Sequence, residues 1–127
     1  MKKTILCLTL LTLFAPLTAL PVSAESSAAD TLIAADWTQQ CVDKARRYLQ
    51  MGGFSKHDLY KQLEYEGFDD SQITAAINQL RPDWNEQCLI KAQKYMDMRG
   101  FSQEGLKKQL RYHQFTESQI NYAMSRL

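Results

Sequence analysis

Two cysteines have the clearest chemical potential in this chain of 127 residues. Cys41 and Cys88 lie 47 positions apart, and each follows a tryptophan by four residues. In an exported protein, an even number of cysteines favours a disulfide, and closing so long a loop would stabilise the fold by about 4 kcal/mol. We predict a Cys41–Cys88 disulfide. The alternatives are an intermolecular bridge and two buried free thiols that pack as small apolar residues.

The remaining polar residues give weaker signals for chemistry. His57 and His113 do not occupy equivalent positions in the repeat described below, and no short Cys or His spacing is typical of a metal site. His57 beside Asp58 at a predicted helix start is typical of a solvated surface pair. The sequence has no recognisable phosphate loop, nucleophile elbow or pair of buried carboxylates. We therefore expect a protein that is not an enzyme and has no cofactor and no metal.

A group of acidic residues is the candidate binding surface. Its members are Glu64, Glu66, Asp69 and Asp70. The residues 47 positions later are Arg111, His113, Thr116 and Glu117. The charge of this edge therefore differs between two otherwise similar halves of the chain, which indicates either a recognition surface or a solvated loop without a partner.

The elements that carry these residues form a tandem repeat. Residues 36–80 align with 83–127 without a gap, and 22 of the 45 aligned positions are identical. Such a period indicates one supersecondary unit used twice, each copy burying apolar surface against the other. Hydrophobic periodicity predicts three short helices in each copy. We predict an all-α fold of two tandem three-helix, helix-turn-helix-like repeats of about 47 residues, over 36–82 and 83–127, packed as one small domain.

Helix start and stop signals support this division. Asp36 and Asp83 are the predicted N-caps of the first helix in each repeat. A glycine shortly after Met51 or Met98 is predicted to end that helix. Pro82 predicts a break between the repeats, because the residue before a proline is biased away from helix.

Apolar residues at helical spacing predict the core. Its large members are Trp37, Tyr48, Phe54, Leu59, Leu63, Phe68, Ile73, Trp84, Tyr95, Phe101, Leu106, Leu110, Phe115 and Ile120.

The N-terminus predicts export. A basic start, an apolar run over residues 4–20 and small residues before Glu25 are typical of a signal peptide over 1–24. The alternative is a retained signal segment that anchors the protein close to the membrane. Cys7 lies at the beginning of the apolar run, where lipidation is not expected. Residues 25–35 are predicted to be a linker.

Charge argues against one class of partner. Removal of residues 1–24 leaves 13 basic residues against 14 acidic ones, whereas a nucleic-acid binder normally presents a basic face. We therefore expect no nucleic-acid partner, although short-turn helices also occur in helix-turn-helix DNA binders. We expect a monomer that is exported to the periplasm, the cell surface or the medium.

The second repeat carries a family resemblance. Residues 84–102 (WNEQCLIKAQKYMDMRGFS), then Leu106, Gln109-Leu110, the segment 115–119 (FTESQ) and Ala123 resemble the Ltp-like family of host cell surface-exposed lipoproteins. The first repeat carries the same pattern less closely, so the resemblance covers nearly the whole chain after the signal.

The resemblance implies a function. Members of that family are built of helix-turn-helix-like repeats outside the cytoplasmic membrane, and their characterised role is superinfection exclusion. The expectation is therefore a binding protein that blocks phage DNA entry by engaging a tape-measure-like phage protein at the membrane. The alternative is a general cell-envelope binding or adhesion module, with another envelope protein or host material as its partner.

Overall fold

The computed structural model describes residues 22–127, with side chains from residue 28 onward. This range contains six helices, and the all-α fold of two three-helix repeats is confirmed. The helices are α1 (Val22–Met51), α2 (Lys56–Tyr65), α3 (Asp70–Leu80), α4 (Trp84–Met98), α5 (Gln103–Tyr112) and α6 (Glu117–Met124). Most of the predicted signal peptide lies outside the described residues. The chain divides into two units, 1–33 and 34–127, and both repeats belong to the second.

The first helix begins earlier than the sequence signals indicated. Asp36 lies within α1 and is not an N-cap, and residues 25–35, which were expected to be a linker, are helical. This segment is rich in alanine and has no proline or glycine, so the helix has no reason to begin at Asp36. In the second repeat, Asp83 does cap α4 by accepting a hydrogen bond from the backbone N–H of Glu86 (3.1 Å). Pro82, directly before it, favours this start.

The other helix boundaries follow from local chemistry. Ser55 and Ser102 cap α2 and α5, and capping boxes at Asp69 and Thr116 begin α3 and α6. The predicted break between the repeats occurs at Arg81, whose φ of 46° ends α3.

Each repeat has its own apolar core. The first core combines Cys41, Val42 and Ala45 of α1 with Leu59, Leu63, Ile73, Ala76 and Ile77. The second combines Cys88, Leu89 and Ala92 of α4 with Leu106, Leu110, Phe115, Ile120 and Ala123. In both repeats the first helix therefore contributes three of the eight buried residues, and the remaining five come from the part of the repeat that follows it.

The fourteen predicted core residues differ in how far they are buried. Seven of the fourteen are buried, namely Leu59, Leu63, Ile73, Leu106, Leu110, Phe115 and Ile120. Six are partly buried against a core, namely Tyr48, Phe54, Phe68, Trp84, Tyr95 and Phe101. The prediction for Trp37 was wrong, because this side chain is 53% exposed. Its counterpart Trp84 packs against the core of the first repeat, whereas Trp37 packs against neither core.

The predicted Cys41–Cys88 disulfide is also wrong. Both thiols are free and fully buried, each in the core of its own repeat. Equivalent positions face equivalent cores, so the tandem arrangement separates the two sulfurs. Burial raises the pKa of Cys41 to about 11, with a contribution from the Asp69 carboxylate, and raises the pKa of Cys88 to about 12. The two cysteines are buried thiols that act as small apolar core residues.

Candidate functional site

The C-terminal end of α1, the long helix of the first repeat, contacts the second repeat. The last carbonyl groups of a helix lack partners within the helix and carry partial negative charge. Lys94 of α4 donates to two such carbonyls, those of Met51 (2.9 Å) and Gly52 (3.0 Å). A cation of the second repeat therefore caps the C-terminus of α1.

Gln87 makes the second polar link of this junction. Its side-chain amide donates to the carbonyl of Leu49 (3.2 Å), and its side-chain oxygen accepts from the backbone N–H of Phe54 (3.1 Å). Gln87 is only 8% exposed, so both bonds lie out of water, where an unpaired backbone group would be costly. One buried side chain thus fixes both sides of the turn between α1 and α2.

Close packing accompanies these hydrogen bonds. Gly52 and Gly53 have φ angles of 81° and 86°, which turn the chain away from α1. A Cβ atom on Gly52 would lie 2.9 Å from Cγ2 of Ile90, closer than van der Waals contact allows. The glycine is therefore required both for the turn and for the approach of α4.

A chain of three side chains crosses the junction on its polar side. Nδ1 of His113 lies 2.6 Å from Oδ2 of Asp58, and Nε2 lies 2.6 Å from the Tyr95 hydroxyl. Burial, with the Asp58 carboxylate and Tyr112 nearby, raises the pKa of Tyr95, so its phenol stays protonated. An acid–histidine–hydroxyl order resembles that of a nucleophilic triad, but a protonated phenol is suited to orienting the imidazole. This arrangement ties the repeats together.

An open groove of 560 Å³ lies above these contacts, with both repeats in its walls. Tyr65 and Tyr112, which occupy equivalent positions in the repeats, line it and are 88% and 78% exposed. Its cationic lining residues are Lys61, Lys91 and Lys94, and its carboxylate is that of Asp58. Exposed tyrosines are typical of a protein-binding surface, because tyrosine offers a large rigid contact area with a polar tip. We name this surface the inter-repeat groove.

Comparison with known proteins places the chain in a family. The sequence family described as host cell surface-exposed lipoprotein matches twice, over residues 36–80 and 83–127.

The chain belongs to this family.

As a member of the host cell surface-exposed lipoprotein family, the chain is an exported protein of the cell envelope. Searches among curated proteins and solved structures found no match. Among the described residues, no helix is both long enough and apolar enough to cross a bilayer. No group of potential ligands that could hold a metal ion occurs within the same residues.

The acidic candidates of this family member are engaged within the first repeat. Glu64 pairs with Lys61 (2.9 Å). Glu66 pairs with Lys44 (3.0 Å) and accepts a hydrogen bond from Tyr48, which lowers the pKa of its carboxyl.

The two aspartates of this edge serve the start of α3. Asp69 is the N-cap of this helix. Its carboxylate accepts a hydrogen bond from the backbone N–H of Gln72, and this bond lowers the pKa of the Asp69 carboxyl. Asp70 accepts from the Tyr60 hydroxyl and raises the pKa of that phenol to about 12. All four carboxylates of the acidic edge thus have partners within the first repeat, whereas the inter-repeat groove presents exposed tyrosine rings.

Sequence reasoning did not find the inter-repeat groove, although one signal pointed to it. At one pair of positions that touch across the junction, both residues differ between the repeats. Gly52 faces Ile90, and the equivalents of these two residues are Arg99 and Asp43. A glycine opposite a branched apolar residue is compatible with close packing, whereas an arginine and an aspartate are not.

Proposed function

We propose that this protein is a non-enzymatic binding protein of the cell envelope that acts in superinfection exclusion. It would bind a tape-measure-like phage protein at the membrane and so prevent delivery of phage DNA. Family membership supports an exported envelope protein, and the inter-repeat groove supplies a surface on which a partner can act by occupancy alone. The observation that carries the proposal is the pair of exposed tyrosines, Tyr65 and Tyr112, beside the lysines of this groove.

The chemistry of the groove suggests the character of its partner. Lys91 lies over the ring of Tyr95, with its ammonium 5.6 Å from the ring centroid, and Lys94 is held by two carbonyls. These cations are positioned before binding, so a partner need not bear the entropic cost of ordering them. A segment that carries carboxylates and apolar side chains would complement both the lysines and the tyrosine rings.

The test is phage challenge of cells that express the full chain, with adsorption and DNA entry scored separately. We expect normal adsorption and blocked entry. The combined variant Tyr65→Ala and Tyr112→Ala should lose the block, whereas Tyr65→Phe and Tyr112→Phe should keep it, since the rings provide most of the contact area. Gln79→Ala, at an exposed position outside the groove lining, is the control and should be silent.

Two results would refute the proposal. Unchanged plaque counts across a broad phage panel would contradict phage exclusion and would favour a general envelope-binding or adhesion module. A block that persists in the combined alanine variant, at equal amounts of exported protein, would show that the groove is not the binding surface.

A further inference from the structure

The surface with which the second repeat contacts the first has a copy on the first repeat. The residues of α4 at the junction are Gln87, Ile90, Lys91 and Lys94. Their equivalents on α1 are Gln40, Asp43, Lys44 and Arg47. These four residues, together with Trp37, line one shallow pocket of 220 Å³. We name this set of five residues the head surface.

The end of the first repeat that receives α4 also has an equivalent in the second repeat, although the backbone differs there, since Arg99 has a φ of −154° where Gly52 has one of 81°. The receiving residues are Leu49, Met51, Gly52, Gly53 and Phe54. Their equivalents in the second repeat are Met96, Met98, Arg99, Gly100 and Phe101, which we name the tail surface. Met96 and Met98 are 44% and 72% exposed. Within residues 34–127, no side chain donates to the carbonyls of Met98 or Arg99, in contrast to the lysine on the corresponding carbonyls of the first repeat.

The exposed tryptophan indicates what the head surface lacks. Trp84 is partly buried because it packs against the core of the repeat before it. Trp37 occupies the same position and is 53% exposed. The exposed ring of Trp37 therefore marks a surface that another repeat would cover, as the first repeat covers Trp84.

Charge at the divergent positions fits the same arrangement. At the internal junction, Gly52 faces the apolar side chain of Ile90. The corresponding pair between a tail surface and a head surface is Arg99 opposite Asp43, which have opposite charges. Arg99 is exposed, whereas Asp43 is partly buried and also pairs with Arg46 of its own helix (2.9 Å). Arg47, in the place of Lys94, carries the cation that would cap the end of α4.

We propose that copies of this chain associate head to tail, the tail surface of one copy docking on the head surface of the next. Each added copy presents a new free head or tail, so the contact is heterologous and extends into open chains of repeats. The favoured occupant of the head surface is a second copy because the chain itself carries a tail with the matching residues and charges. This proposal revises the expectation of a monomer and does not depend on the phage-exclusion function.

The experiment is sedimentation of the purified exported protein over roughly 1 μM to 1 mM, the range of weak association. We expect the average mass to rise continuously with concentration. Asp43→Arg and Arg99→Asp should each weaken association about tenfold or more, because like charges then oppose each other. An equimolar mixture of these two variants should associate again, since every contact between unlike copies regains opposite charges. Gln79→Arg, an exposed charge change outside both surfaces, should leave association unchanged.

Each possible failure has a clear meaning. A monomeric mass at every concentration would overturn the proposal, and so would a dimer that does not grow further, because that result indicates a symmetric interface. Association that neither charge reversal weakens, or a mixture that behaves as the separate variants do, would also overturn it. Circular dichroism and urea unfolding of each variant at low concentration show whether the variant is folded.

Discussion

A single methyl group on Gly52 tests the junction between the repeats directly. With a φ of 81°, Gly52 has a left-handed conformation that costs an L-residue about 1–2 kcal/mol. The new Cβ would also lie 2.9 Å from Cγ2 of Ile90. This atom is attached to a branched Cβ with a stiff side-chain rotamer, so it cannot easily move away. Overpacking of this kind adds about 1–3 kcal/mol, so we expect Gly52→Ala to destabilise the protein by about 2–5 kcal/mol.

Two other glycines separate the backbone penalty from the steric one. Gly67 has a φ of 98°, but nothing lies within 4 Å of a Cβ built on it, so Gly67→Ala should cost only the backbone part, about 1–2 kcal/mol. Gly100, the counterpart of Gly53, has no positive φ and also lies in open space. Gly100→Ala should therefore be neutral or stabilising by less than about 1 kcal/mol.

Urea unfolding monitored by tryptophan fluorescence supplies the free energies of unfolding. Ile90→Ala, combined with Gly52→Ala, should remove the clash, and the double-mutant cycle should show a coupling of about 1 kcal/mol or more. If Gly52→Ala costs no more than Gly67→Ala, or if the free-energy changes of Gly52→Ala and Ile90→Ala are additive, then Ile90 of α4 does not pack on Gly52 at the end of α1.

Two further predictions concern residues that are identical in the repeats. Gln87→Ala should destabilise the protein by about 1–3 kcal/mol, because it leaves the carbonyl of Leu49 and the N–H of Phe54 unpaired. Gln40→Ala should leave the free energy of unfolding in urea unchanged at low protein concentration. Equal losses of stability in the two variants would contradict the role of Gln87 at the junction. Cys41 and Cys88 should react slowly with a thiol reagent in the native protein, because both are buried with raised pKa values, and completely after denaturation without reductant. Failure to react after denaturation would indicate a disulfide.

Much of each repeat could be predicted from its own sequence, because caps, glycines and hydrophobic periodicity act locally. Ser55 caps α2 by accepting from the backbone N–H of Asp58, and Arg81 ends α3 directly before Pro82. Both boundaries depend only on residues close by in the sequence. The start of α1 was the exception. Asp36 has the residue type and spacing of a cap, but the alanine-rich segment before it continues the helix, whereas the proline before Asp83 favours a new helix start.

The contacts between the repeats could not be predicted in the same way, because the sequence assigns the same residues to both copies. Trp37 and Trp84 are both preceded by aspartate and followed four residues later by cysteine, yet only Trp84 packs against the core of the other repeat, and Trp37 is exposed. The cysteines follow the same logic. A pseudo-twofold arrangement would bring Cys41 and Cys88 together, whereas successive units that repeat the same contacts keep equivalent residues apart, each in its own core.

The divergence of two equivalent residues shows how the junction became specific to one side. In both repeats, the hydroxyl of the first-helix tyrosine meets the residue that follows the second helix: Tyr48 donates to Glu66, and Tyr95 meets His113. Glu66 then pairs within its own repeat, whereas the second nitrogen of His113 reaches Asp58 across the junction. Imidazole has two ring nitrogens at opposite edges, so it can keep the tyrosine contact and still contact the neighbouring repeat. A carboxylate that also faces a lysine has no donor to offer an aspartate, so a histidine is suited to this position only in a repeat that follows another.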